Sequence, residues 1–171
     1  MSSSIQKKSL LIKLYKFFPI IVLFISVLNE LDFNNLGLKY FSFNFSYILI
    51  FYYSLKKSEN FTYGLIFIAG LFNDVVVGIP MGVSSLVYLL LCGAAAYLRN
   101  ITLRPNLMKD WFFFLITILT VNSIAFLILT FIFDYEIDIF SQIVNNLFTF
   151  LFYLIFSYLF NFFERTLLGR T

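Results

Sequence analysis

The chain has 171 residues, 61% hydrophobic, 22% aromatic and 12% charged, with a mean hydropathy of +0.91. Soluble domains carry about 45–50% apolar and about 25% charged residues, and one water-soluble core of this size cannot bury so much apolar surface, which makes the chain an integral membrane protein. There is no histidine and a single cysteine, Cys92, which excludes Ser-His-Asp triads, Cys-His dyads, HExxH zinc sites, CxxC metal sites and internal disulfides, while the net charge of +3 matters only through its distribution.

Windows of about 20 apolar residues predict six helical spans, at roughly 16–31, 40–55, 61–78, 80–98, 111–133 and 139–163. The first is charge-free only over Phe17–Asn29, but Lys13 and Lys16 can snorkel and extend it back to about Leu10. It follows a basic segment (Lys7, Lys8, Lys13, Lys16), yet Asn29-Glu30-Leu31-Asp32 stands where a signal peptide needs small residues, so the run reads as a retained span. The stretch 61–98 is the delicate one. As a single helix it would be about 57 Å long, far beyond a hydrocarbon core of about 30 Å. Lys56 and Lys57 precede it and Arg99 and Arg104 follow it, so both ends belong on the cytoplasmic side and the stretch must cross twice. Gly78-Ile79-Pro80-Met81-Gly82 supplies the turn of this helical hairpin. The last two spans, Trp111–Phe133 and Ile139–Phe163, contain no charge.

With six spans, eleven of the twelve Lys and Arg residues fall on the side of the two termini, against Glu59, Asp110 and Glu164. The other side holds Lys39 against Glu30, Asp32, Asp74, Asp134, Glu136 and Asp138. The expectation is an all-α bundle of six transmembrane helices, one domain over 1–171, with both termini cytoplasmic. Tyr15, Tyr40, Tyr63, Trp111 and Tyr135 sit near span ends as interface anchors. Loops are short and leave no room for an extramembrane domain. The basic clusters are accounted for by orientation and present no broad face for nucleic acid. The partners expected are membrane lipids and other membrane proteins, with no metal or cofactor.

Asp74 is the one ionisable residue well inside a span, and it follows Asn73. Gly70, Asp74 and Gly78 recur every four residues, which puts them on one helix face where a neighbouring backbone can come close. The next helix starts at Pro80, and the free amides of such a start attract an anion. Asp74 is therefore a candidate to receive those amides and lock the hairpin, with Gly82 in the turn. A partner or ligand site and simple exposure at the outer interface are the alternatives.

Span six carries Gln142, Asn146 (with Asn145), Thr149, Tyr153 and Ser157 at offsets that trace one helix face. Such a face belongs inside the bundle or against another protein. Interhelical hydrogen bonding explains it, and a polar binding cavity is the alternative. Thr117, Thr120, Asn122 and Ser123 of span five are candidates for the same interior face. The small-residue run Cys92-Gly93-Ala94-Ala95-Ala96 reads as close helix packing, and the 25 phenylalanines as compositional bias. An intramembrane enzyme would need a partnered acid or base beside Asp74, and the sequence offers none at that depth.

Gly64 to Leu90, with Gly70-Leu71, Asp74, Gly78, Pro80 and Gly82 in place, resembles the glycine–aspartate–proline stretch of the bacterial rod shape-determining protein MreD family. Tyr52-Tyr53-Ser54-Leu55-Lys56-Lys57 is similar to the aromatic-then-basic end of that family's second helix, although two of its prolines are absent and Ser58 replaces one. The resemblance covers roughly 46–99; the rest agrees in length and hydropathy alone. It implies a non-enzymatic inner-membrane component of the cell-elongation machinery, paired with the single-span protein MreC and coupling a cytoskeletal filament to peptidoglycan synthesis. Six-helix bundles of this size also resemble the substrate-binding S components of vitamin transporters. Span one offers only Ser26 toward the small-residue seam that those proteins use for docking, while the polar face of span six favours them.

Overall fold

The computed structural model describes residues 17–28, 42–56, 61–102 and 106–168. Among them every regular element is a helix: α1 (Phe17–Leu28), α2 (Phe45–Leu55), α3 (Tyr63–Val77), α4 (Val83–Ile101), α5 (Leu107–Phe133) and α6 (Ile139–Leu168). α4, α5 and α6 are long and apolar enough to cross a membrane; α1, α2 and α3 are shorter apolar helices. Both chain termini, with Lys7, Lys8, Lys13, Tyr15, Lys16, Lys39 and Tyr40, lie outside the described residues.

The helix bounds follow the six apolar runs, with physical reasons for each difference. Within the run 40–55, residues 42–44 are not helical and α2 begins at Phe45, because Ser42 and the Asn44 amide are engaged by Asn145 and Thr149 of α6. α4 begins at Val83 rather than Pro80, after a turn held by two glycines of positive φ. α5 begins at Leu107, where the Asn106 side chain accepts from the Met108 amide at 3.0 Å and caps the helix ahead of Trp111. α6 runs past 163 to Leu168.

The sequence of α2, FSYILIFYYSL, is apolar around its whole circumference, and a helix of that kind has to be enclosed. It is: Ile48, Leu49, Ile50 and Phe51 have no exposed surface. Around it α3 packs on α4, α4 on α2 and α5, α5 on α6, and α6 closes back on α2. α1 lies against the start of α2 through Ser26 and Ser46, and against α3 through Phe24 and Phe72. The outer faces of α5 and α6 are largely apolar and carry Ile116, Phe131, Ile143, Leu151 and Ile155, a pattern made for lipid rather than water.

Aromatic rings join α2 to α6. Phe43 stacks on Phe152 at 4.6 Å, Phe45 meets Phe156 edge-on at 4.8 Å, and Phe160 lies 5.1 Å from Tyr52. Phe152, Phe156 and Phe160 recur every four residues, so at least this part of the phenylalanine content has a structural role that composition alone does not reveal.

Candidate functional site: the α3–α4 hairpin and the interior polar face

α3 ends because Gly78 adopts φ 77°, the left-handed conformation that stops a helix. The amides of Gly78 and Ile79 both donate to the carbonyl of Asp74, at 2.9 and 3.1 Å. Gly82, with φ 101°, precedes α4 and its carbonyl accepts the first helical bond from Leu86. Pro80 stands inside this turn, two residues before Gly82.

The Asp74 side chain reaches across the turn. Its carboxylate accepts from the Gly82 amide at 2.6 Å and from the Ser84 amide at 2.8 Å. A helix has unpaired amides and a partial positive charge at its start, so a carboxylate there makes charge-assisted bonds. Asp74 is fully buried, and it both closes α3 with its carbonyl and opens α4 with its side chain. Asn73 adds a bond from its amide nitrogen to the Ser84 hydroxyl at 2.9 Å, and the Ser85 hydroxyl donates to the Phe67 carbonyl at 2.9 Å.

Gly70 explains how close the two helices come. A Cβ there would lie 2.4 Å from Ser85 Cα and 2.6 Å from its backbone nitrogen. Gly78 does not share this seam, as its spacing suggested. It has left the helix and has open space around it, so it serves the turn and not the packing. Gly70, Asn73 and Asp74 meet Gly82, Ser84 and Ser85, while Gly78 and Pro80 shape the connection. Ser84 and Ser85, in the first turn of α4, are partners of Asn73 and Phe67 that no spacing in the sequence singles out.

On α6, Thr149, Tyr153 and Ser157 are buried, whereas Gln142, Asn145 and Asn146 are half-buried. The Thr149 hydroxyl accepts from the Asn44 amide at 2.9 Å and donates to the Asn145 carbonyl at 2.7 Å. Asn145 donates to the Ser42 hydroxyl at 2.9 Å. The Tyr47 hydroxyl donates to Asn122 at 3.2 Å, and Asn122 donates in turn to Asn146. Tyr153 stacks on Phe114 with ring centroids 4.5 Å apart. The face looks into the bundle and its asparagines and threonine tie α6 to α5 and to the start of α2.

Span five divides. Thr117 and Asn122 are buried, whereas Thr120 and Ser123 are exposed on the outer face. Their hydroxyls donate to the carbonyls of Ile116 and Leu119 at 2.8 Å, so neither needs an interior partner. Gly93 of the small-residue run is likewise exposed, with nothing within 4 Å of where a Cβ would stand, whereas Cys92 and Ala95 are its buried members. Trp111 donates to the Phe150 carbonyl at 2.9 Å and so joins α5 to α6.

At the opposite end, Lys56 binds Glu164 at 2.7 Å and Asn161, which also accepts from the Tyr52 hydroxyl at 3.1 Å. Arg99 donates to the Ser54 carbonyl at 2.6 Å. Two cations thus cover the C-terminal end of α2, where its free carbonyls and partial negative charge want them. The chain matches no family model, no curated protein and no solved structure.

Proposed function

We propose that the chain is a multi-pass protein of the bacterial inner membrane, with six spans and both termini in the cytoplasm. It acts there as a non-enzymatic scaffold of cell elongation, of the MreD type. It holds an MreC-like single-span partner and links cytoskeletal filament to peptidoglycan synthesis. The observation that carries this reading is the hairpin: the residues behind the resemblance, Gly70, Asp74, Gly78 and Gly82, are the ones that fix the geometry of α3 against α4.

Three features support the six spans. α2 is enclosed by longer helices, so protein rather than lipid faces its sides. Around the turn between α3 and α4, Asp74 accepts from the amides of Gly78, Ile79, Gly82 and Ser84, the kind of internal pairing that backbone at membrane depth requires. The basic side chains Lys56 and Arg99 stand at one end, and Asp134, Glu136 and Asp138 at the end where α5 meets α6. A vitamin-transporter component is the competing reading. The bonds that tie Asn145, Asn146 and Thr149 to neighbouring helices favour the scaffold, since a substrate face would keep those groups for its ligand.

The test is depletion of the protein in its own cell, with cell shape and vitamin uptake scored together. Rounding of rod cells with normal uptake is the expected result; unchanged shape with lost uptake would overturn the scaffold reading. The hairpin's part is tested by Asp74→Leu, which is expected to weaken capture of the single-span partner. Unchanged capture at unchanged protein level would remove the hairpin from the partner surface.

A further inference from the structure

A cavity of about 80 Å³ lies where α1, the start of α2, α3 and α4 converge, lined by Ser26, Asn44, Ser46, Tyr47, Asn73 and Tyr88 among others. It has room for several waters, or for a small ion with part of its hydration shell. We propose that this cavity binds a small monovalent cation, either an alkali ion or the head of a primary ammonium compound.

The hydroxyl protons of Ser26, Ser46 and Tyr47 are already committed. The Ser26 hydroxyl donates to the Leu23 carbonyl at 2.8 Å, so in its 2.8 Å contact with Ser46 it is Ser46 that donates. Tyr47 spends its proton on Asn122, and Asn73 spends an amide proton on Ser84. What these side chains have left to offer is chiefly oxygen lone pairs. Asn44 makes no side-chain capping bond to α2 and brings a further amide oxygen together with its two N–H groups, and Asn73 keeps one. Oxygen acceptors therefore outnumber the remaining N–H donors of Ser26, Asn44, Ser46, Tyr47 and Asn73, and such a cluster favours a cation or a donor-rich group.

The electrostatic field beside the cavity also favours a cation. Asp74 adjoins Asn73, is fully buried and lies within electrostatic reach of Tyr47. Among the described residues no Lys or Arg is within ion-pair distance of it. Backbone amides offset part of this charge, and the remainder repels an anion and attracts a cation. The amides of Phe45, Tyr47 and Ile48 are already bonded to the carbonyls of Phe43 and Asn44.

The test uses the full chain in lipid nanodiscs, with thermal unfolding followed by Trp111 fluorescence. The chlorides of lithium, sodium, potassium, methylammonium and N-methyl-D-glucamine are compared at equal ionic strength. At least one small cation is expected to raise Tm saturably, by about 3 °C over N-methyl-D-glucamine. An alkali ion that does so identifies a metal-ion site, and methylammonium acting alone identifies an organic amine. Ser46→Ala and Asn73→Leu, each measured against its own N-methyl-D-glucamine baseline, are expected to weaken the response about tenfold. Ser26→Ala replaces any variant that does not fold. Equal Tm in all five chlorides would overturn the proposal, as would a saturable shift unchanged in these variants.

Discussion

Gly70 and Gly93 show how differently two helical glycines can be constrained. At Gly70 an added methyl meets the backbone of Ser85 at 2.4 Å, and backbone cannot swing aside like a side chain. Gly70→Ala is expected to destabilise the protein by about 3 kcal/mol, at the upper end of overpacking costs, because α3 and α4 must part. At Gly93 nothing lies within 4 Å, and Ala is the better helix former, so Gly93→Ala should be neutral or gain up to about 1 kcal/mol. Denaturant titration of both variants in the same detergent checks the contrast; equal effects would sink it. Asp74→Asn is a subtler probe. The amide keeps one oxygen, but its nitrogen turns a donor toward a backbone donor, so one of the two bonds at Gly82 and Ser84 is lost. A loss of about 2 kcal/mol is expected, in the range for bonds to charged groups. Spacing alone made Gly70 and Asp74 legible as neighbours on α3. It could not tell that Gly78, at the same interval, would leave the helix, because the deciding quantity is a backbone angle.

At the scale of elements, the starts and ends of the helices hold the most local chemistry. Asp138 precedes α6 and its carboxylate accepts from the Phe140 amide at 3.0 Å and from the Ser141 hydroxyl at 2.6 Å. The Ser141 hydroxyl, more than the backbone amides of Ser141 and Phe140, holds this carboxyl below its ordinary value against the opposing effect of desolvation. The sign follows: a group whose folded value is depressed contributes stability above its unfolded value, near 3.9, and loses it as pH falls through the folded one. Amide exchange at residues 139–142 should therefore quicken below about pH 4 in the native chain, relative to the intrinsic rate. In Asp138→Ala it should be fast at every pH; a variant that keeps the pH dependence would assign it elsewhere. The helices themselves were legible, since each apolar run found its helix. Which serines and threonines face inward was legible on α6, where Thr149 and Ser157 are buried, but only in part on α5, where Thr117 is buried and Thr120 and Ser123 are not. Thr120 and Ser123 satisfy their hydroxyls on their own helix, so polarity carries no information about their direction. The cavity at the start of α2 was hidden for another reason: Ser26, Ser46 and Asn73 belong to three helices and share no spacing.

For the molecule as a whole, everything turns on the parity of α3 and α4. If the hairpin crosses and returns, Thr62 and Met108 lie on one side of the membrane and Met81 and Glu136 on the other. All four are exposed and lie at or near helix ends, so single cysteines can be placed there without entering the core. Cys92 is buried between α4 and α2, accepting from the Ser54 hydroxyl at 3.1 Å, and it is removed first as Cys92→Ala. An impermeant maleimide added to intact cells is expected to label cysteines at 81 and 136 at once. Those at 62 and 108 should react only after permeabilisation. Labelling of 62 and 81 from the same side would mean that α3 does not cross, and the charge argument that pairs Lys56 with Arg99 would fall with it. In that event Asp74 would still cap α4, because its bonds are set by the fold and not by the membrane; the scaffold reading, which needs the hairpin at membrane depth, would not survive.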